Sequence, residues 1–422
     1  MLTGLFGALK LPGSAENAYV MRAILRVTSV AADGMAPYAP TCIEELKGHL
    51  SRVCENPTNP SFNHYMFEAI AALVRSLCAS SPAAVDAFEA MLFPPFQYVL
   101  QKDVSEFCPY VFQILAQLLE CRSSLSAAYA SLFPPILAPT MWERGANTPA
   151  LVRLVCAYIA VGKDTVRERL EGVLGVFQKL LASRATDALA CKLLSAIWRA
   201  YDAPELAQFM APIFNLCLTR LQSNKKVGPH LIASWTTYIA RYGVSALHQQ
   251  LEAIQPSLLP MIVSGVWCDS LGGITGSTAR KCAAIGTARL LSESDALHPD
   301  AATFGKLLQA LLLMILQDQG IGPTATATAA AAAEELADSA EIENAGAGGP
   351  GYAAAYAQLS FANAQEDADL YPGETSATYA VKALAQLHAR AGTILPAIVP
   401  PMIAALPEDK KVGVQALLQG VC

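Results

Sequence analysis

Apolar residues recur at helical spacing along most of this chain of 422 residues. Leu170, Val173, Leu174, Phe177, Leu180 and Leu181 form one continuous stripe, at i, i+3, i+4, i+7, i+10 and i+11. Leu151, Leu154, Val155 and Tyr158 repeat the pattern. Alternation of apolar and polar residues, which would mark strands, is nearly absent. The stripes and the breaks between them predict paired helices at about 37–53 and 62–79, 85–101 and 104–121, and 127–142 and 148–161. Further pairs fall at about 165–182 and 185–201, 203–222 and 228–242, and 246–268 and 275–292. A long helix comes next at about 299–318, and helical pattern returns from about 376–391 to the end.

The pairs repeat. Phe93-Pro94-Pro95 recurs forty residues on as Phe133-Pro134-Pro135, with Leu92 matching Leu132, Pro109 matching Pro149, Val111 matching Leu151 and Ile114 matching Leu154. A period of roughly 40–47 residues is the range of HEAT and armadillo units. A proline inside a helix removes one hydrogen bond and kinks the axis. Pro94-Pro95, Pro134-Pro135, Pro212 and Pro256 are each expected within a first helix, giving every unit the same bend. The expected fold is therefore all-α, an armadillo-type superhelical solenoid of HEAT repeats with second helices lining its concave side. Such arrays offer one long binding surface instead of an enclosed site.

The expected organisation is a solenoid over 1–318 with an incomplete first repeat, a low-complexity acidic insertion over 319–351, and C-terminal helical repeats over 352–422. The insertion runs from Gly/Thr/Ala-rich sequence at 320–333 through Glu334, Glu335, Asp338, Glu341 and Glu343 to a Gly-rich stretch at 346–351. Residues 365–374 read as a second loop.

Composition narrows the function. Hydrophobic residues make up 53% of the chain and charged residues only 15%, against about 25% charged in ordinary domains. Much of the excess is alanine, which favours helix. A membrane span needs about 20 apolar residues. Leu307–Leu316 is too short, and Thr393–Leu406 carries Pro396, Pro400 and Pro401. No membrane insertion is expected, and Met1–Lys10 lacks the basic region and cleavage site of a secretory signal. Net charge is −6. Lys225-Lys226 and Lys410-Lys411 are only doublets, so nucleic acid has no electrostatic footing. The eleven cysteines form no C-x-x-C and read as buried free thiols of a reducing compartment.

No catalytic, cofactor-binding or metal-binding set emerges, and the chain does not read as an enzyme. Gly272-Gly273 lacks the strand and lysine of a phosphate loop. His64 and Glu68 share a helix face but have no third ligand nearby. Trp142, at the end of a first helix, reads as packing under a loop. Arg75 and Arg153, on second helices, have the placement for a concave contact.

Several short runs are specific. Leu11-Pro12-Gly13-Ser14, then Glu16-Asn17, and Phe62-Asn63-His64-Tyr65-Met66-Phe67-Glu68-Ala69-Ile70 resemble the CAS family of exportins, members of the importin-β superfamily. Pro109-Tyr110-Val111-Phe112-Gln113, Trp142-Glu143-Arg144 and Pro149-Ala150-Leu151-Val152-Arg153-Leu154 continue the likeness in order. So do Leu174-Gly175-Val176-Phe177-Gln178-Lys179-Leu180, Ile254-Gln255-Pro256 and, past the acidic insertion, Gln358-Leu359-Ser360-Phe361-Ala362. The resemblance covers the C-terminal portion of such a protein.

It implies a carrier that shuttles between nucleus and cytoplasm, binding importin-α together with Ran-GTP for re-export. The alternative is a HEAT-repeat scaffold without Ran dependence. The partner-binding residues it favours are polar ones on second helices: Asn63, His64, Glu68, Arg75 and Arg153. The N-terminal half of the family, with its principal Ran grip, lies outside this sequence, so Met1 reads as a truncated start. Leu2, Leu5, Phe6 and Leu9 are expected to leave an apolar end that self-associates.

Overall fold

A computed structural model of the chain describes residues 1–79, 81–320, 358–364 and 366–419. Most of the expected acidic insertion, 321–351, lies outside the described residues. The described elements are helical, and none of the described residues is in a strand. Contacts divide them into two compact units, the first holding 1–176 with 358–364 and the second 177–320 with 366–419.

The first unit opens with α1 (Leu2–Ala8) and α2 (Ala18–Ala31). Three hairpins come after: α3 (Ala39–Val53) with α4 (Pro60–Cys78), α5 (Pro82–Lys102) with α6 (Cys108–Glu120), and α7 (Ala127–Ile136) with α8 (Thr148–Val161). The second helices pack side by side, α2 on α4, α4 on α6 and α6 on α8. Each of α4, α6 and α8 begins with a proline in its first turn, where the missing N–H costs nothing. Asn59, Ser81 and Ser126 cap α4, α5 and α7 by accepting from Phe62, Ala84 and Tyr129 N–H. The chain then forms α9 (Lys163–Arg167) and α10 (Leu170–Leu181).

The second unit stacks α11 (Asp187–Ala200), α12 (Ala203–Ser223) and α13 (Gly228–Tyr242). Next come α14 (Val244–Ile254), α15 (Leu258–Ile262), α16 (Cys268–Ser270), α17 (Ser277–Glu293) and α18 (Ala301–Asp318). It closes with α19 (Ser376–Arg390), α20 (Ile394–Ala404) and α21 (Glu408–Leu418). Here α11, α13, α17 and α19 pack in series. Gly286 permits the approach of α17 to α13, because a Cβ there would lie 2.8 Å from Thr236 Cβ and 3.3 Å from its Cα.

Large aromatics fill the cores. Trp198, Trp235 and Trp267 are fully buried. Tyr129 donates to the Leu115 carbonyl at 2.6 Å, and Tyr158 donates to the Tyr129 carbonyl at 2.8 Å, so burial leaves neither hydroxyl unpaired. α18 is long and apolar enough to cross a membrane by composition alone. It buries Phe304, Leu307, Leu308, Leu311 and Leu312, as a core helix does.

The prolines do not all act alike. Pro94-Pro95, Pro134-Pro135 and Pro212 lie inside first helices as expected, and Pro400-Pro401 adds another case in α20. Yet α5 continues past its pair to Lys102, whereas α7 ends at Ile136 and resumes as a 3₁₀ turn at Pro139–Trp142. A third proline, Pro139, forbids continuation there. Pro256 is a correction. It stands between α14 and α15, where the axis turns by 99°, and Ser257 takes a left-handed φ of 60°. The expected helix at 165–182 is likewise split into α9 and α10. The N-terminal end also differs from expectation, since Phe6 and Leu9 are buried, Phe6 stacking on His49. The bare apolar end expected to drive self-association is thus partly covered by the chain itself.

Candidate functional site

The second-helix face of the first unit carries a run of polar side chains among apolar ones. On α4 these are Asn63, His64 and Glu68; on α6 they are Gln113 and Gln117; on α8 it is Arg153. Four of them hold the backbone of 359–363. Gln113 Oε1 accepts from Leu359 N–H at 2.9 Å. The Glu68 carboxylate accepts from Ser360 N–H at 2.6 Å and from Phe361 N–H at 3.0 Å. Gln117 Nε2 donates to the Phe361 carbonyl at 3.0 Å and to the Ala71 carbonyl at 3.2 Å. Arg153 donates to the Ala362 and Asn363 carbonyls while its Nε and Nη2 grip the Glu120 carboxylate at 2.8 and 2.6 Å. Every one of these contacts to 359–363 reads main chain, so the cluster recognises the backbone of a turn at Phe361–Ala362 more than a particular sequence.

Electrostatics are set by burial. Glu68 is 3% exposed. Desolvation pushes its carboxyl above the ordinary range, and the two N–H donors of Ser360 and Phe361 pull it part of the way back. His64 lies beside it, Nε2 3.6 Å from Oε1, and its Nδ1 is 3.4 Å from the Tyr110 hydroxyl. Asn63 is 1% exposed, and neither of its amide atoms has a hydrogen-bond partner. Arg75 sits apart, exposed in the last turn of α4.

Four of the five expected contact residues are therefore buried. Of these, Glu68 and Arg153 face the chain's own segment. Gln113 and Gln117 did not figure among the expected residues. Their signal was present: two amides four apart within the apolar run of α6 that precedes Glu120. Trp142 is buried and donates to the Ile136 carbonyl at 2.9 Å, tying the 3₁₀ turn to the end of α7.

In the second unit, residues 366–371 lie against α11 and α17. Glu366 accepts from the Ser277 and Thr278 hydroxyls at 2.7 and 2.8 Å. Asp367 pairs with Arg199 at 2.9 Å and Asp369 with Lys281 at 2.6 Å. Lys281 also donates to the Tyr371 carbonyl at 2.8 Å. The Ser277 and Thr278 hydroxyls hold the Glu366 carboxyl below its ordinary value, and Lys281 does the same for Asp369.

Nucleophiles are muted. Burial pushes the Cys54 and Cys217 thiols up to about 12, so they stay protonated near neutrality. Among the described residues no three His, Cys, Asp or Glu side chains come together as a metal site would need.

Stacked helical hairpins packed through their second helices define an all-α HEAT-repeat solenoid, a class that presents extended binding surfaces. The family model for the C-terminus of CAS/CSE proteins matches residues 1–416, and the chain belongs to that family. It is 37% identical over 413 residues to exportin-2 of Oreochromis niloticus, covering 96% of this chain and 41% of that protein. It is 38% identical over 373 residues to exportin-2 of Homo sapiens, covering 87% of this chain and 37% of that protein. Among solved structures, that of the exportin Cse1 in its cargo-free, cytoplasmic state matches with a TM-score of 0.79 at 23% identity, over 99% of this chain and 42% of the other. The chain thus spans about two fifths of the length of these relatives.

Proposed function

We propose that this chain is the C-terminal part of a nuclear transport receptor that binds importin-α together with Ran-GTP and carries it from nucleus to cytoplasm. The observation that supports this most is the family match across 1–416, on a fold whose second helices carry polypeptide-binding polar groups. In this reading Arg75 contacts partner directly. Asn63, His64, Glu68 and Arg153 act by shaping the face and seating 359–363. Linkage then requires importin-α and Ran-GTP to raise each other's affinity by the same factor.

The test joins this chain to the N-terminal half of an exportin-2 and asks what immobilised importin-α retains. Retention with Ran-GTP and its loss with Ran-GDP is expected. Equal retention with either nucleotide would make the protein a scaffold without Ran dependence. No retention in any state would contradict the proposal.

A further inference from the structure

We propose that the face formed by α11 and α17 is a binding site for an irregular acidic segment of another protein, filled in this structure by residues 366–369 of the chain itself. The proposal does not rest on the transport reading.

Three acids within four residues, Glu366, Asp367 and Asp369, each meet a different complementary group. Glu366 sits at the start of α17, where two hydroxyls and the positive end of the helix dipole favour a carboxylate. Asp367 takes a guanidinium on α11, and Asp369 takes an ammonium one helical turn along α17 from Ser277. The segment forms neither helix nor strand. Recognition here is of an irregular segment by the charges it carries.

Beside the occupant lie polar groups that its three carboxylates do not engage. A cavity of about 130 Å³ beside Asp367 is lined by Lys192, Arg199 and His230, with Asp367 the one acid among the described lining residues. Arg199 Nε is buried in this region without a hydrogen-bond partner. An occupant with more acidic groups than 366–369 would use these donors. The resident segment is also displaceable. The Asp367 and Asp369 side chains are 42% and 39% exposed, and ion pairs at such exposure contribute little each. What keeps them in place is tethering, which supplies a high effective concentration. A more acidic partner segment competes by adding contacts in the cavity.

Two experiments on the full chain test this. In the first, a fluorescein-labelled peptide of residues 363–371 is titrated by anisotropy at low salt against the unmodified chain and against the triple variant E366A/D367A/D369A. The triple variant should bind the peptide at least about tenfold more tightly, since the tethered competitor has lost its charges. Adding R199E and K281E should abolish that gain, with helicity unchanged by circular dichroism. Equal binding to the unmodified chain and the triple variant would overturn the proposal, as would equal binding of a peptide with its three acids changed to alanine. In the second, decaglutamate is added to the unmodified chain. Deuterium uptake across 366–371 should rise, and unchanged uptake would overturn the proposal without any variant.

Discussion

Replacing Arg153 with alanine is expected to destabilise the first unit by about 3–5 kcal/mol, the usual cost of removing one partner from a buried ion pair. The side chain is 9% exposed and its partner Glu120 17%. Its loss strands the Glu120 carboxylate and removes the donors to the Ala362 and Asn363 carbonyls together. Set against a typical stability of about 5–15 kcal/mol for a whole domain, this is a large fraction. The measurement is the denaturant midpoint, followed by a probe in α8. Arg153→Lys should recover only part of the loss, because an ammonium cannot reproduce the two-pronged grip on Glu120. If alanine and lysine variants matched the unmodified chain, the pair would be ornamental.

Trp198→Ala is expected to cost the second unit about 3–5 kcal/mol as well, by a different route. The indole is fully buried on α11. It meets Tyr238 edge-on at 5.1 Å, Tyr242 edge-on at 6.1 Å, and Phe214 in a stack at 6.4 Å. Alanine removes this whole aromatic junction between α11, α12 and α13 and leaves a cavity that rigid helices close only in part. Trp198→Phe should cost less than half as much. The indole N–H has no hydrogen-bond partner, so phenylalanine gives up volume but no polar contact. Equal losses from the two substitutions would show that volume is not what matters there.

The hairpins were legible because apolar stripes recur at helical spacing and because one unit resembles the next, as Pro109 at the start of α6 matches Pro149 at the start of α8. The prolines inside first helices were legible as positions but not as outcomes. Whether a helix survives a Pro-Pro pair depends on the residues just beyond it, as Pro139 after α7 shows, and Pro256 ends a helix outright. The polar face was legible only in part. Glu68 and Arg153 stand out on second helices, but their partners lie 292 and 209 residues along the chain at Ser360 and Ala362. Nothing local in the sequence marks such a pairing. Gln113 and Gln117 were readable as amides within the apolar run of α6, and their meaning became clear only with the 359–363 backbone beside them. The acidic residues at 366–369 read as another loop, because a loop and a seated irregular segment have the same composition.

Polar groups on the second helices of the first unit hold the chain's own 359–363 backbone, and that grip is the central structural claim for this face. Residue-resolved amide hydrogen exchange of the full chain at neutral pH tests it most directly. The Leu359, Ser360 and Phe361 amides should be protected, and Glu68→Ala should speed exchange at Ser360 and Phe361 by about 10- to 100-fold, the worth of hydrogen bonds to a charged acceptor. Exchange of these three amides at the free-peptide rate in the unmodified chain would contradict it.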